Sequence, residues 1–266
     1  MEYDGKIYRC GKNHCFDRAK SGYVNLLTPN RMHSKLPGDN KIMVRARRAF
    51  LNRGYYSFLA EKLCSLVCGY AENNVLMLDA GCGEGYYTQK VVAALINSNK
   101  TVKAGGIDIS KSAAELAAKS GISGTEYAAA SIFHIPVGNE SINILISAFS
   151  PLCIDEFYRI LKADGLFFMV IPGRKHLWEL KSALYDVPYE NQVKEYDVDG
   201  FTLLNACDLM PEKIFLENRE DISNLFTMTP YYYNTGAKDM AKLEAFDTLE
   251  TTVEFKILVY RKKGEL

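Results

Sequence analysis

The period of the apolar positions changes along the chain. Over residues 41–70 they recur at three- and four-residue steps: Met43, Ala46, Phe50, then Tyr56, Leu59, Leu63 and Val67. That spacing predicts helix, with Gly54 splitting the run in two. From residue 75 the pattern switches. Val75-Leu76-Met77-Leu78 is a short unbroken apolar run, as a central parallel strand requires. A helix is then predicted over Tyr87–Asn97, a strand over Val102–Ile107, a helix over Lys111–Lys119 and a weak strand over Tyr127–Ala130. Next come a strand over Ile142–Ser147, a helix over Asp155–Leu161, a tight turn at Leu161–Gly165 and a strand over Leu166–Ile171. This rhythm implies an α/β fold with a parallel sheet and helices on both faces. Downstream, residues 176–194 begin helical, and Phe226–Tyr233 and Thr251–Tyr260 read as strands, the latter alternating like an antiparallel edge. Upstream, residues 1–30 are polar and punctuated by Gly, Asn and Pro, so they predict short strands and turns with no core of their own; Met32–Asn40 reads as a linker.

The 266 residues are 48% hydrophobic and 24% charged, enough for one large domain with a small appendage. No window approaches the ~20 apolar residues of a membrane span. Met1–Lys6 has no apolar stretch, so no secretory signal and a cytoplasmic location are expected. Seven irregularly spaced cysteines argue against structural disulfides. The net charge of zero hides an asymmetry: residues 1–53 hold twelve Lys or Arg and four acids, a surplus of +8 that the rest of the chain cancels. A positive segment on an acidic body suits contact with a polyanion.

The strongest chemical signal is Leu78-Asp79-Ala80-Gly81-Cys82-Gly83-Glu84-Gly85, a strand running into three alternate glycines ahead of a helix. Such glycines let the chain turn sharply and let a ligand approach the backbone. A dinucleotide turn is usually G-x-G-x-x-G. Here Asp79 and Glu84 flank the glycines and would repel a pyrophosphate. They suit the sulfonium and ammonium of S-adenosylmethionine. Asp108, at the tip of the next strand, is placed to accept ribose hydroxyls. Ser131, after the third strand, is a candidate for the adenine edge. Ile146-Ser147-Ala148-Phe149-Ser150-Pro151 ends the fourth strand without the Asn/Asp-Pro-Pro-aromatic motif of exocyclic-amine methylation. His176 follows the fifth strand beside Arg174 and Lys175, near the expected cleft mouth.

Taken together these residues resemble the bacterial 23S rRNA (guanine-N1)-methyltransferase family. The likeness runs through Cys10-x-x-x-His14, Phe16-Asp17-x-Ala19-Lys20-x-Gly22-Tyr23-Val24-Asn25-Leu26-Leu27, Pro37-Gly38-Asp39 and Arg45-Ala46-Arg47-Arg48-Ala49-Phe50-Leu51. It continues in Gly54-x-Tyr56, Gly81–Thr88, Pro172-Gly173-x-x-His176-Leu177-x-Glu179-Leu180-Lys181 and Met228-Thr229-Pro230. The resemblance implies a Rossmann-like class I methyltransferase fold with a mostly parallel seven-stranded sheet. It divides the chain into a small basic module over 1–36 and a methyltransferase domain over 37–266 with a helical lead-in at 41–70. It implies methyl transfer from S-adenosylmethionine to N1 of a guanine in a 23S rRNA hairpin, a homodimer, and Tyr56, Gly83, Glu84 and His176 at the cofactor. The family's N-terminal module is a zinc ribbon. Here Cys10 and His14 supply two ligands and Cys15 a cramped third, so the set is incomplete and zinc is doubtful. Asp155 and His176 are the candidate general bases, Lys20, Arg45, Arg47 and Arg48 the candidate phosphate contacts, and Tyr231–Tyr233 candidate stacking residues. The alternatives are a small-molecule methyltransferase and a non-catalytic RNA-binding protein that keeps the nucleoside pocket.

Overall fold

The structure, a computed structural model, describes residues 2–264 apart from 4, 6, 12, 28–37 and 194–196. Most of the linker expected at Met32–Asn40 therefore lies outside the described residues. Strands β1 (Glu2–Tyr3), β2 (Ile7–Arg9) and β3 (Cys15–Asp17) form a small antiparallel sheet, and β4 (Val24–Asn25) follows. Helices α1 (Lys41–Asn52) and α2 (Ser57–Tyr70) match the apolar spacing. Asn40 caps α1, its Oδ1 accepting the N–H groups of Ile42 and Met43 at 2.9 and 3.0 Å. Gly54, between the two helices, has a φ of +83°.

The alternating region then runs β5 (Asn74–Ala80), α3 (Tyr86–Asn97), β6 (Thr101–Asp108), α4 (Lys111–Ser120), β7 (Thr125–Ala129), β8 (Ile142–Ala148), α5 (Ile154–Ile160) and β9 (Leu161–Pro172). It is followed by α6 (Trp178–Leu184), β10 (Phe201–Asp208), β11 (Glu212–Leu216), α7 (Arg219–Thr227), α8 (Tyr231–Asn234), α9 (Ala237–Ala241), β12 (Leu249–Val253) and β13 (Phe255–Lys262). The main sheet has the order β10-β13-β9-β8-β5-β6-β7-β4. β4 through β9 pair in parallel, while β13 runs antiparallel to both β9 and β10. Seven strands are thus as expected, and β4, from the N-terminal segment, adds an eighth.

Successive side chains of a strand serve opposite faces. Accordingly Ile144, Ile146 and Phe168 join the core under α1–α3, while Leu145 and Phe167 join the second core under α5. Both cores stand behind the carboxyl ends of β5, β6 and β8, which face a common cleft. Among the described residues no helix is long and apolar enough to cross a membrane.

Three expectations need correction. Phe226–Tyr233 is not a strand: Asn218 caps α7, its Oδ1 accepting the Asp221 N–H at 2.9 Å, and Ile222, Leu225 and Phe226 are buried at helical spacing. Pro230 then precedes the single turn of α8. Thr251–Tyr260 is not one edge strand but parts of two, broken at Glu254. β13 lies inside the sheet, buried on both faces, because β10 covers its outer edge. Leu161–Gly165 is not a separate turn but the irregular start of β9, where the pairing with β8 slips between Ile142 and Ile144 and Asp164 takes a φ of +60°.

Candidate active site

Beyond Ala80 the chain makes two close N–H bonds to one carbonyl: Gly81 and Cys82 both donate to Ile107 O, at 2.8 and 2.9 Å. That turn requires glycine. Gly81 has a φ of +83°, and a Cβ there would run into Ser150. Gly83 donates its N–H to Asp108 Oδ2 at 2.9 Å, and Ser110 donates its own to Oδ1 at 2.7 Å. Asp108 therefore ties the turn after β5 to the tip of β6, and each of its oxygens keeps a lone pair for a further donor.

These loops floor a cavity of about 730 Å³. Of the residues expected at a cofactor, Tyr56, Asp79, Gly81, Gly83, Glu84, Asp108, Ser131 and His176 line it. Gly85 does not; with a φ of +85° it stands at the N-terminus of α3 as a turn residue. Asp155 does not either: it is exposed in the first turn of α5, outside the cavity. The arginines part company. Arg47 lines the cavity, pairs with Asp39 and donates to Met228 O at 2.9 Å, linking α1 to the segment after α7. Arg48 sits 4.0 Å from Glu84 and lines a smaller neighbouring cavity. Arg45 and Lys20 are exposed and outside both.

The buried acids set the electrostatics. Burial pushes Asp79 up to about 7, with nearby Asp108 adding to the rise and Thr88, donating to Oδ2 at 2.5 Å, opposing it. Burial also pushes Glu84 up to about 7, against the pull of Arg48 and Arg47. Asp108 is raised as well, chiefly by burial. Asp79 Oδ1, Glu84 Oε1 and the Tyr87 hydroxyl are buried with no hydrogen-bond partner among the described residues, and all three residues line the cavity. Buried carboxylates of this kind call for a cationic partner. These residues fit S-adenosylmethionine: Asp79 and Glu84 would face its sulfonium and ammonium, and Asp108, beside the bare glycine backbone, would receive its ribose.

His176 differs from a general base. It is buried, its Nδ1 accepts the Glu254 N–H at 3.3 Å, and its Nε2 lies 3.4 Å from the Tyr56 hydroxyl. Burial, helped by Lys181, lowers it to about 3, so the ring stays neutral at physiological pH. In this arrangement its free side faces the Tyr56 hydroxyl.

Sequence reasoning assigned no role to Tyr87, Phe149, Asn191 and Thr229, which line the cavity together with the stacking candidate Tyr231. Phe149 follows β8 with a φ of +58° and rests on Phe255, 5.6 Å between ring centres. Met228-Thr229-Pro230 belonged to the family pattern, yet nothing in its spacing said that it closes a cleft. In the N-terminal hairpin Cys10 and His14 bracket a turn in which Cys10 N–H donates to His14 O at 3.1 Å. Among the described residues no three His, Cys, Asp or Glu side chains converge on a metal position. These residues do not fit a closed four-ligand zinc site.

A family model described as a methyltransferase domain matches residues 71–214, and the zinc-ribbon model described as RlmA, N-terminal, matches residues 1–35. The Bacillus subtilis protein YxjB, provisionally named a 23S rRNA (guanine-N1)-methyltransferase, is 28% identical over 97% of this chain and 92% of its own length. The Streptomyces fradiae 23S rRNA (guanine(748)-N1)-methyltransferase is 32% identical over 67% of this chain and 62% of its own length. Among solved structures, the YcgJ protein of Bacillus subtilis superposes with a TM-score of 0.52 at 14% identity, over 76% of this chain and 98% of that one, a likeness of fold.

Proposed function

The chain belongs to the 23S rRNA (guanine-N1)-methyltransferase family of S-adenosylmethionine-dependent enzymes, and from that premise we propose that it methylates N1 of a guanine in a hairpin of the large-subunit RNA. The observation that carries the reading is a pair of buried acids, Asp79 and Glu84, each with one carboxylate oxygen that has no hydrogen-bond partner among the described residues, in a cavity floored by bare glycine backbone.

When bound, the cofactor supplies a methyl group on a sulfonium, already activated for transfer. The chain's residues do the rest. Asp108 accepts the ribose hydroxyls, and Ser131 stands at the position for the adenine edge. Asp79 and Glu84 balance the cofactor's positive charge. His176 fixes Tyr56, and Tyr56 and Tyr87 form an aromatic wall that excludes water. The target base is unstacked from its loop to enter the cleft. Tyr233, at the rim and largely exposed, is placed to stack on RNA. The exposed cations Lys20 and Arg45 hold phosphates, whereas Arg47 and Arg48 are committed to acids of the site. On this reading residues 1–36 form an RNA-holding module and residues 37–266 the catalytic domain, working as a homodimer.

The test is transfer of labelled methyl from S-adenosylmethionine to 23S rRNA transcripts, with nuclease mapping of the product. Label at N1 of one hairpin guanine is the expected result. No label in RNA, with cofactor binding intact, would overturn the substrate assignment and favour a small-molecule acceptor.

A further inference from the structure

Guanine N1 carries a proton and attacks poorly until that proton leaves, and neither residue expected as its base can take it: His176 is a neutral, depressed imidazole and Asp155 is outside the cavity, while on the reading above Asp79 and Glu84 serve the cofactor's positive charge. The alternative is to make the guanine itself more acidic by stabilising charge on O6. The wall of the cavity holds an arrangement suited to that. Asn191 lines the cavity. Its Nδ2 donates one N–H to Gly173 O at 2.8 Å, and its backbone N–H donates to Arg174 O at 2.9 Å. The second Nδ2–H has no partner among the described residues. Behind it, Lys181 Nζ donates to Asn191 Oδ1 at 2.7 Å and to Tyr189 O at 3.1 Å.

Lys181 is wholly buried and makes no ion pair among the described residues. Its ammonium lies 4.9 Å from the Tyr189 ring centre and 5.7 Å from that of Tyr231. The charged and titratable groups around it are few. Glu190 acts on it at a distance and opposes the effect of burial, but is itself engaged with Arg174 at 3.5 Å. Glu179, on the same helix, pairs with Lys213. Burial lowers His176 and raises Tyr189 and Tyr231, so all three are neutral. A buried cation without a counter-ion is costly unless an anion arrives. Burial lowers Lys181 in keeping with that cost.

We propose that Asn191 reads O6 of the target guanine through its spare N–H, and that Lys181 is a positioning residue that locks and polarises the amide so that N1 gives up its proton. The inference rests on the guanine-N1 reading above. In the step, the N1–H bond breaks, the proton passes to a water molecule in the cleft, and the electron pair stays on the N1–C6–O6 unit. A donor fixed at both ends loses no orientation as the charge develops, and the ammonium on its oxygen strengthens it.

Single-turnover methylation of the hairpin across pH tests this, with Asn191→Ala, Asn191→Asp and Lys181→Met against the unmodified enzyme. Asn191→Ala and Lys181→Met should each move the rate profile up by about one pH unit, a loss of about tenfold at neutral pH that is recovered in alkali. Asn191→Asp, which replaces a donor with an acceptor, should lose more. The Lys181→Met/Asn191→Ala double variant should be no worse than Asn191→Ala, because Lys181 acts through the amide. In equilibrium binding, the unmodified enzyme should prefer the guanine hairpin over one with adenine at that position by about tenfold, and Asn191→Ala should lose the preference. An unmoved profile in both Asn191 variants, or a Lys181→Met loss equal at every pH, would overturn the proposal. Should Lys181→Met not fold, the two Asn191 variants decide. If the unmodified enzyme leaves guanine N1 unmethylated, the parent reading fails first; if it methylates N1 and the variants keep its profile, this inference fails alone.

Discussion

Asp79 and Glu84 are held near pH 7 by burial, so the cofactor site should be charged by its own ligand. Affinity for S-adenosylmethionine should rise as pH goes from about 6 to 8, as these carboxylates ionise. Calorimetry near pH 6.5 in buffers of different ionisation heat should register proton release on binding. The stability of the ligand-free protein should run the other way. A carboxyl raised in the folded state stabilises it fully below the unfolded value and loses that contribution as pH climbs through about 7. Asp79→Asn should therefore stabilise the ligand-free protein at pH 8 by on the order of 2 kcal/mol while weakening cofactor binding at least tenfold. Melting curves with and without cofactor give both numbers. Gly81→Ala should do the opposite on stability, costing about 1–3 kcal/mol, and abolish cofactor binding, since its backbone is left-handed and Ser150 fills the space. At this scale the sequence was most legible where chemistry is local. The acid–glycine turn and Asp108 could be read from their neighbours alone. Asn191 and Lys181 could not, because ten residues and a helix end separate two side chains whose meaning lies in their contact.

The helices and inner strands obey their apolar periods, and their placement follows. α1 illustrates what an element contributes to the site: its inner face carries Met43, Phe50 and Leu51 into the core and presents Arg47 to the cavity. Asn40→Ala removes the cap that fixes the start of this helix. It should cost about 1 kcal/mol by denaturant unfolding and loosen cofactor binding through Arg47, leaving the RNA salt dependence unchanged. The elements that escaped sequence reading are those whose identity depends on a distant partner. β10 is half exposed along its length and is a strand because β13 offers it an edge. Tyr231–Tyr233 has the composition of a strand, but Pro230 and the packing of α7 impose a helical turn. β4 is two residues long and has no period to read; its pairing with β7 makes it a strand of the main sheet.

For the whole molecule, the segregation of charge along the chain turns into a division of labour among the basic residues. Lys20→Ala and Arg45→Ala, both exposed, should each weaken hairpin binding and reduce the slope of affinity against salt by about one, leaving cofactor affinity alone. Arg47→Ala should instead act on cofactor affinity, since its guanidinium is already taken by Asp39 and Met228. Filter binding across a salt series, beside calorimetry with the cofactor, separates the two groups. A run of arginines in sequence suggests a single phosphate track; on a helix the same run points to different sides, which is why composition located the charge but not its targets.

The seam where β4 lies against β7, continued by the Leu26 N–H on Ala129 O at 2.9 Å, has one more consequence. The N-terminal segment shields an otherwise open margin of the main sheet. Limited proteolysis ahead of α1 would bare that margin, and bare strand margins recruit their like. Clipped protein should therefore clump in a concentration-dependent way by light scattering, while intact protein under the same conditions stays dispersed.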